Sequence, residues 1–183
     1  FCEIWEGLYQ YGFLITLYTN ATMVTPKIME CLSTHPPHKI GVTLYGVTPQ
    51  TYERVCGSAE AFDRAIRGIH MLRTLPSAIE FRTTIIKDNF HESLLIDKFA
   101  QKEFGYPDRV VQTRIVTKAV RGACADVESC RLEPKDNVYL SFQRGIEEIK
   151  EYRQKYQNAY KELMLIKNGY EKDMESFISS IKK

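Results

Sequence analysis

KIGVTLYGVTPQTYE, at residues 39–53, is the stretch that decides the fold of this 183-residue chain. An apolar run leads to Thr43 and Tyr45, breaks at Gly46, and gives way to a helix-starting Thr48-Pro49. The pattern predicts a buried strand that delivers two side chains to its carboxyl end, where α/β proteins place their ligands. An ordinary turn between a strand and a helix has the same pattern, so this stretch by itself leaves ligand binding open.

Strands and helices alternate in the same way through the first two thirds of the chain. Apolar, β-branched runs predict strands at about 13–19, 40–45, 79–86 and 109–116. Helices are predicted to begin at Phe1, Thr25, Thr48, Ser58 and Asn89, and the last covers about 90–103. Alternation with short linkers requires a parallel sheet with right-handed crossovers, so the predicted fold class is α/β.

Composition excludes several classes of protein. Hydrophobic residues make up 44% of the chain and charged residues 26%, which is typical of a soluble globular protein. A net charge of +2 gives no reason to expect nucleic acid or membrane as a partner. Five scattered cysteines argue against a disulfide framework, so we expect a protein of the reducing cytoplasm.

The carboxyl-terminal third differs from the rest. Residues 119–135 are predicted to be a linker loop, and 136–183 a helical segment with apolar residues spaced by three and four. This segment is either one long amphipathic helix or two helices joined near Asn168-Gly169. We expect it to pack or to bridge solvent rather than form a partner-binding coiled coil, because a tyrosine-rich stripe suits a coiled-coil seam poorly.

Several short motifs occur in a characteristic order: Thr19-Asn20-Ala21, Thr43-Leu44-Tyr45-Gly46, and a Thr-rich run, 81–86, followed by Asn89. This order resembles the middle of radical S-adenosylmethionine (radical SAM) enzymes, in particular the SPASM-related subgroup that modifies peptides and proteins. The resemblance covers about residues 1–120. It implies that 1–118 form four βα-type units of a parallel-sheet partial TIM-type barrel, followed by the long helix.

The resemblance also implies a chemistry. In the family, a 4Fe-4S cluster cleaves S-adenosylmethionine reductively to a 5′-deoxyadenosyl radical, which abstracts hydrogen from the substrate. A peptide or protein substrate and an external electron donor would follow from it. The cofactors expected of the intact enzyme are therefore S-adenosylmethionine and the iron–sulfur cluster.

The cluster ligands of the family are missing from this sequence. No three of Cys2, Cys31, Cys56, Cys124 and Cys130 have the Cys-x3-Cys-x2-Cys spacing. No Gly-Gly-Glu turn is present either, and the chain starts within a predicted helix. We therefore expect a fragment that lacks the N-terminal cluster motif, holds no metal and is inactive alone. Cys124 and Cys130 are interpreted as free loop cysteines, because two thiolates cannot close a metal site.

Alternation along the strands suggests a polar cluster inside the barrel. It places Thr43 and Tyr45 on one face of their strand, and likewise Arg82 and Thr84 on one face of theirs. Buried polar groups need partners, which the ribose hydroxyls and the carboxylate of the cofactor would supply. The positions that match the family give the predicted cofactor-binding residues: Asn20, Thr43, Tyr45, Arg82 and Thr84. Alternatively, the pair on the third strand simply faces solvent at a sheet edge.

Two details of this site stay open in the sequence. Ala21 stands where the family has glycine, and alanine disfavours a positive φ, so we expect a differently shaped loop. No catalytic residue is assigned, and none of the four histidines receives a catalytic role.

Two rival functions remain. One is another parallel-barrel lyase or isomerase, for which Lys87 and Asp88 are the only strand-end candidates. The other is a non-enzymatic domain that binds a partner through its C-terminal helix.

Overall fold

The computed structural model describes residues 1–117 and 126–181 of the chain. The elements are α1 (Cys2–Gln10), β1 (Thr16–Thr19), α2 (Pro26–Thr34), β2 (Lys39–Thr43), α3 (Pro49–Cys56), α4 (Glu60–Leu72), β3 (Ala78–Thr84), a 3-10 turn (Phe90–Glu92), α5 (Ile96–Phe104), β4 (Val111–Thr113) and α6 (Pro134–Ile181). They form two units, Phe1–Val138 and Tyr139–Lys183, which are described separately. The domain bounds predicted from the sequence stay a prediction.

The sheet of the first unit is parallel and follows the order of the chain, β1-β2-β3-β4. Thr19 pairs with Val42, Thr43 pairs with Arg82, and Thr84 pairs with Thr113. The predicted α/β fold, with its four parallel strands in sequence order, is confirmed. Each pair of neighbouring strands is joined through at least one helix, which is the connection that parallel strands require.

One face of the sheet forms the core. Ile40, Val42 and Phe81 are buried on this face, and the Phe81 ring stacks on Phe104 of α5 at 5.0 Å between centroids. Ile69 of α4 is also completely buried. Because strand residues alternate between faces, this apolar packing leaves the residues between them on the opposite face.

Of the five predicted helix starts, three are confirmed and two are wrong. Phe1 directly precedes α1. Thr25 and Thr48 cap α2 and α3, and each hydroxyl accepts a backbone N–H three residues on, at 3.3 Å. Ser58 does not cap α4, because that helix begins at Glu60 with Ala59 at the cap position; the Ser58 hydroxyl accepts from Arg64 Nη2 at 3.5 Å. Asn89 does not cap a helix over 90–103 either; that region is a 3-10 turn and the shorter α5.

The outer strands are shorter than predicted. β1 begins only at Thr16, because Phe13 and Leu14 lie exposed ahead of it, after a Gly12 with φ of 76°. β4 keeps three residues of the predicted eight. An apolar run does not distinguish strand residues from apolar residues that merely precede a strand.

α6 is a single helix of 48 residues that continues through Asn168-Gly169. The structure thus decides between the two alternatives that the sequence left open, one helix or two. Within the described residues, no helix is both long and apolar enough to cross a membrane.

Candidate functional site

The face of the sheet opposite the core is polar. We call it the polar face; its members by strand alternation are Tyr18, Lys39, Thr43, Glu80, Arg82 and Thr84. Contacts support this assignment. A Cβ built on Gly41 would collide with the Tyr18 ring, and the Arg82 guanidinium lies 5.2 Å from the centre of the same ring. Tyr18 therefore crosses the middle of β2 and stacks against the guanidinium on β3.

Glu80 links two cations of the polar face. Its Oε2 accepts from Lys39 Nζ at 2.5 Å, and its Oε1 lies 3.6 Å from Arg82 Nε. The hydrogen bond that Lys39 donates to Glu80 raises the pKa of Lys39 above its usual range. Arg82 is thus held between a carboxylate and an aromatic ring, yet its side chain remains 38% exposed. A guanidinium held in this way can still bind a second anion.

The structure brings three of the predicted site residues together. Thr43 pairs with Arg82 in the β2–β3 register. Thr84 lies two residues after Arg82 on β3, and therefore on the same face of the sheet. All three are partly buried near the carboxyl ends of their strands. Two hydroxyls and one guanidinium on adjacent strands can bind a ligand that carries both hydroxyls and a carboxylate. Their contact with a cofactor stays a prediction.

Tyr45 lies apart from these three. Its ring meets Tyr52 edge-on at 5.6 Å between centroids and packs against a cluster formed by α3 and α4. Its N–H donates to Tyr52 Oη at 3.4 Å. β2 ends at Thr43, so the alternation argument that placed Tyr45 beside Thr43 does not extend to it.

The loop after β1 keeps the backbone conformation that we expected Ala21 to prevent. Ala21 has φ of 60° and is completely buried, and its N–H donates to Thr19 Oγ1 at 3.0 Å. Asn20 is exposed, and its Oδ1 accepts from the Thr22 N–H at 3.2 Å and from the Thr22 hydroxyl at 2.8 Å. Ala21 thus adopts the positive φ that alanine disfavours, and burial and the hydrogen bond to Thr19 hold it there.

Sequence reasoning missed the role of Asn89. This side chain is completely buried, and its Nδ2 donates to the Tyr45 and Thr84 carbonyls at 2.9 Å each. Its Oδ1 accepts from the Ile86 N–H at 2.8 Å. One amide thus joins the carboxyl ends of β2 and β3. The only signal in the sequence was its position after the Thr-rich strand, which we interpreted as a helix cap.

Glu92 was also missed. It is buried, and it accepts from the Val47 N–H at 2.6 Å and from the Thr48 hydroxyl at 2.5 Å. A Cβ at Gly46 would collide with Glu92 and Thr51, so the loop after β2 needs glycine at this position. The carboxylate ties the loop after β2 to the loop after β3. No pattern in the sequence distinguishes Glu92 from a solvated helix residue.

The described residues do not support the rival based on Lys87. Its Nζ donates to the Glu128 carbonyl at 3.4 Å and lies 3.7 Å from Glu133 Oε1, on an exposed side chain. A nucleophilic lysine is desolvated in an apolar pocket, whereas the Lys87 amine lies exposed beside a carboxylate. The neighbouring Lys87 N–H donates to the Cys130 carbonyl at 2.9 Å, which joins this loop to residues before α6.

Over residues 1–117 and 126–181, no three His, Cys, Asp or Glu side chains are grouped so that they could hold a metal ion. Cys130 donates its thiol to the Val127 carbonyl at 3.3 Å, while Cys124 lies outside the described residues. The residues that the structure describes therefore do not fit an iron–sulfur cluster.

Comparisons with known proteins support one superfamily. No protein-family model matches the chain. The chain is 32% identical over 81 residues to the AdoMet-dependent heme synthase of Methanosarcina barkeri, an alignment that covers 44% of this chain and 23% of that protein. It is 23% identical over 91 residues to the protein of the same name from Nitratidesulfovibrio vulgaris, covering 50% and 25%. The chain thus spans about a quarter of the length of these relatives.

One solved structure, of TYW1 with a lysine-pyruvate adduct bound, overlaps with 55% of this chain and 32% of its own, at a TM-score of 0.44 and 17% identity. The two sequence relatives support the radical SAM superfamily, which the order of motifs had indicated. They do not show the SPASM-related subgroup.

Proposed function

We propose that this chain is the part of a radical SAM enzyme that binds the polar portion of S-adenosylmethionine. The observation that carries the proposal is the placement of Arg82 beside Thr43 and Thr84, on one face of a parallel sheet near its carboxyl edge. Ligands of α/β proteins bind at this edge. When bound, S-adenosylmethionine would supply a 5′-deoxyadenosyl radical for hydrogen abstraction.

Different residues of the polar face would bind different groups of the cofactor. Arg82, oriented by Glu80 and the Tyr18 ring, would form two parallel hydrogen bonds with the carboxylate of the cofactor. The hydroxyls of Thr43 and Thr84 would bond the ribose. The resemblance also implies that Asn20 and Tyr45 bind the cofactor; these residues lie on the loops after β1 and β2.

The loops at this edge are held in place by buried groups. Asn89 joins the ends of β2 and β3, and Glu92 fixes the backbone at Val47. Neither side chain is proposed to touch the cofactor. Their role is to keep the strand ends at a fixed spacing, on which a ligand that contacts two strands depends.

No residue of this chain is assigned as a ligand of the iron–sulfur cluster. Because the described residues do not fit it, we propose that its ligands come from elsewhere in the intact enzyme, and that this chain alone is inactive. An external electron donor would be needed for reductive cleavage.

Two alternative substrate classes are proposed. A peptide or protein substrate, and with it the SPASM-related subgroup, rests on the order of motifs in the sequence. The second candidate is haem synthesis, which the name shared by both relatives favours. Two assays of the intact enzyme distinguish these substrates. One supplies labelled peptides, and the other supplies a haem precursor and follows haem absorbance.

The binding proposal is tested with Thr43→Val and Arg82→Leu in the intact enzyme. Each variant removes one partner of a hydrogen bond to the cofactor. The loss is about 1.5–3 kcal/mol for a charged partner, which is roughly ten- to a hundredfold in affinity. Calorimetric titration with S-adenosylmethionine measures it, and the iron content of both variants should stay unchanged.

Matched controls are Thr16→Val, on the same face at the amino end of β1, and Arg73→Leu, at the exposed end of α4. Both should bind S-adenosylmethionine with the original affinity. Unchanged affinity in Thr43→Val and Arg82→Leu would remove the polar face from the proposed site.

A further inference from the structure

The part of α6 that belongs to the second unit of the chain carries a stripe of exposed apolar side chains. Phe142, Ile149 and Tyr156 follow one another at intervals of seven, with Gly145 and Tyr152 between them at the alternate seam positions. Phe142 is 66% exposed, Ile149 57% and Tyr152 66%. The same interval continues in the sequence at Leu163, Tyr170 and Phe177. Apolar surface of this extent on a soluble helix indicates an interaction site.

The period of the stripe determines the kind of partner. A repeat of seven over many turns corresponds to 3.5 residues per turn, whereas a straight helix has 3.6, so the stripe stays on one side only if the helix supercoils around another. The sequence alone favoured packing over a coiled coil because a tyrosine-rich stripe suits a coiled-coil seam poorly. In the structure nothing lies within 4 Å of a Cβ at Gly145, so the seam has room beside Phe142.

The charges that flank the stripe identify the partner. Glu148 and Arg153 stand on either side of the seam, five residues apart. In a parallel pair of identical helices, Glu148 of each copy faces Arg153 of the other, so two attractive pairs form. The sequence repeats this spacing at Glu162 and Lys167. On the outer side of the helix, Lys150 donates to Glu147 at 2.9 Å, as expected of a solvated face.

We propose that the α6 helices of two copies of this chain form a parallel two-stranded coiled coil through the stripe that begins at Phe142. The proposal is independent of the proposed cofactor binding. A second copy is the partner that the flanking charges complement, since every attractive pair is supplied by the chain itself.

Sedimentation velocity of the full 183-residue chain at micromolar concentration tests the proposal. We expect a discrete dimer. Ile149→Asp places two carboxylates in the seam and should weaken dimerisation by at least about a hundredfold. Leu165→Asp is the matched control, because Leu165 is also exposed but lies outside the seam, and this variant should remain dimeric. A monomeric wild type overturns the proposal, as does a dimer that Ile149→Asp leaves intact.

A charge exchange tests the orientation. Glu148→Arg turns both attractive pairs into repulsive ones and should weaken the dimer by roughly tenfold. Glu148→Arg combined with Arg153→Glu restores attraction and should recover the original affinity. Circular dichroism verifies that the helical content is unchanged in each variant. In an antiparallel coil Glu148 and Arg153 do not face each other, so a double variant that fails to recover the affinity lost in Glu148→Arg would overturn the parallel pairing.

Discussion

Asn89 connects the carboxyl ends of two strands with one side chain. Amide groups suit this position because Nδ2 can donate twice while Oδ1 accepts. Burial makes each of these hydrogen bonds costly to lose, since the backbone groups that remain would have no solvent to replace the amide. Glu92 performs a related task with backbone and hydroxyl donors from the neighbouring loop.

Replacing Asn89 with alanine should lower the free energy of unfolding by roughly 2–4 kcal/mol, because two carbonyls and one N–H lose their partner in a buried position. Urea denaturation at low protein concentration measures the change. Asn20→Ala is the control, since the Asn20 amide is exposed and bonds only Thr22, and it should cost less than about 1 kcal/mol. Equal effects of the two variants would contradict the bridging role.

Tyr52 should make the fold sensitive to alkaline pH. Burial raises the pKa of this phenol far above its usual range, against a smaller opposite effect of the Tyr45 N–H. Above pH ~10 the unfolded chain loses this proton while the folded chain retains it, so the unfolded state binds fewer protons and stability falls as pH rises. The free energy of unfolding should decrease by up to about 1.4 kcal/mol per pH unit from this group.

Tyr52→Phe keeps the ring and removes the titrating group, so the alkaline slope of stability should become shallower in this variant. Measurements of urea denaturation between neutral pH and about pH 11 compare the two proteins. Tyr11→Phe, on an exposed ring, serves as the control and should keep the original slope. A slope that Tyr52→Phe does not alter would assign the effect to other groups.

At the scale of elements, α4 packs so closely on the loop after β1 that one helix position must be glycine. A Cβ at Gly68 would collide with the carbonyl oxygen of Ala21, a backbone atom that cannot move aside easily. The contact fixes the loop that carries Asn20, so the placement of a predicted site residue depends on the buried face of α4. Helix propensity alone would favour alanine at this position.

Gly68→Ala should therefore destabilise the chain by roughly 1–3 kcal/mol, even though alanine forms helices better. Gly7→Ala is the matched control, because Gly7 lies inside α1 with nothing within 4 Å of a Cβ. That variant should gain about 0.5–1 kcal/mol from helix propensity alone. Thermal and urea denaturation measure both, and a stabilising Gly68→Ala would contradict the close packing.

At the scale of the whole molecule, the described sheet has open edges. β1 and β4 are its outer strands, and Phe13 and Leu14 lie exposed just ahead of β1. Open strand edges with apolar neighbours promote association between sheets.

The chain expressed by itself should thus melt early and aggregate on heating. Phe13→Lys with Leu14→Lys should reduce aggregation, because charges beside an edge strand oppose pairing. Light scattering during a thermal scan measures the change, with Leu165→Lys on α6 as the control for added charge. A sharp reversible transition above ~65 °C in the unaltered chain would contradict the prediction.

The sequence by itself determined the parallel sheet, its strand order and the face shared by Thr43, Arg82 and Thr84. Periodicity and chain connectivity are sufficient for this, since alternation fixes faces and short βα linkers fix direction. The three-and-four spacing also determined that the carboxyl-terminal segment is helical, whereas its continuity through Asn168-Gly169 was decided by the structure.

Only the tertiary structure decided which polar residues act together. Tyr45 packs beside Tyr52, Asn89 bonds the carbonyls of β2 and β3, and Glu92 reaches a backbone N–H 45 residues away in sequence. The positive φ of Ala21 likewise depends on burial and on Thr19. Local sequence carries no record of such contacts, because a hydrogen bond between distant segments depends on the spacing that the packed core imposes on them.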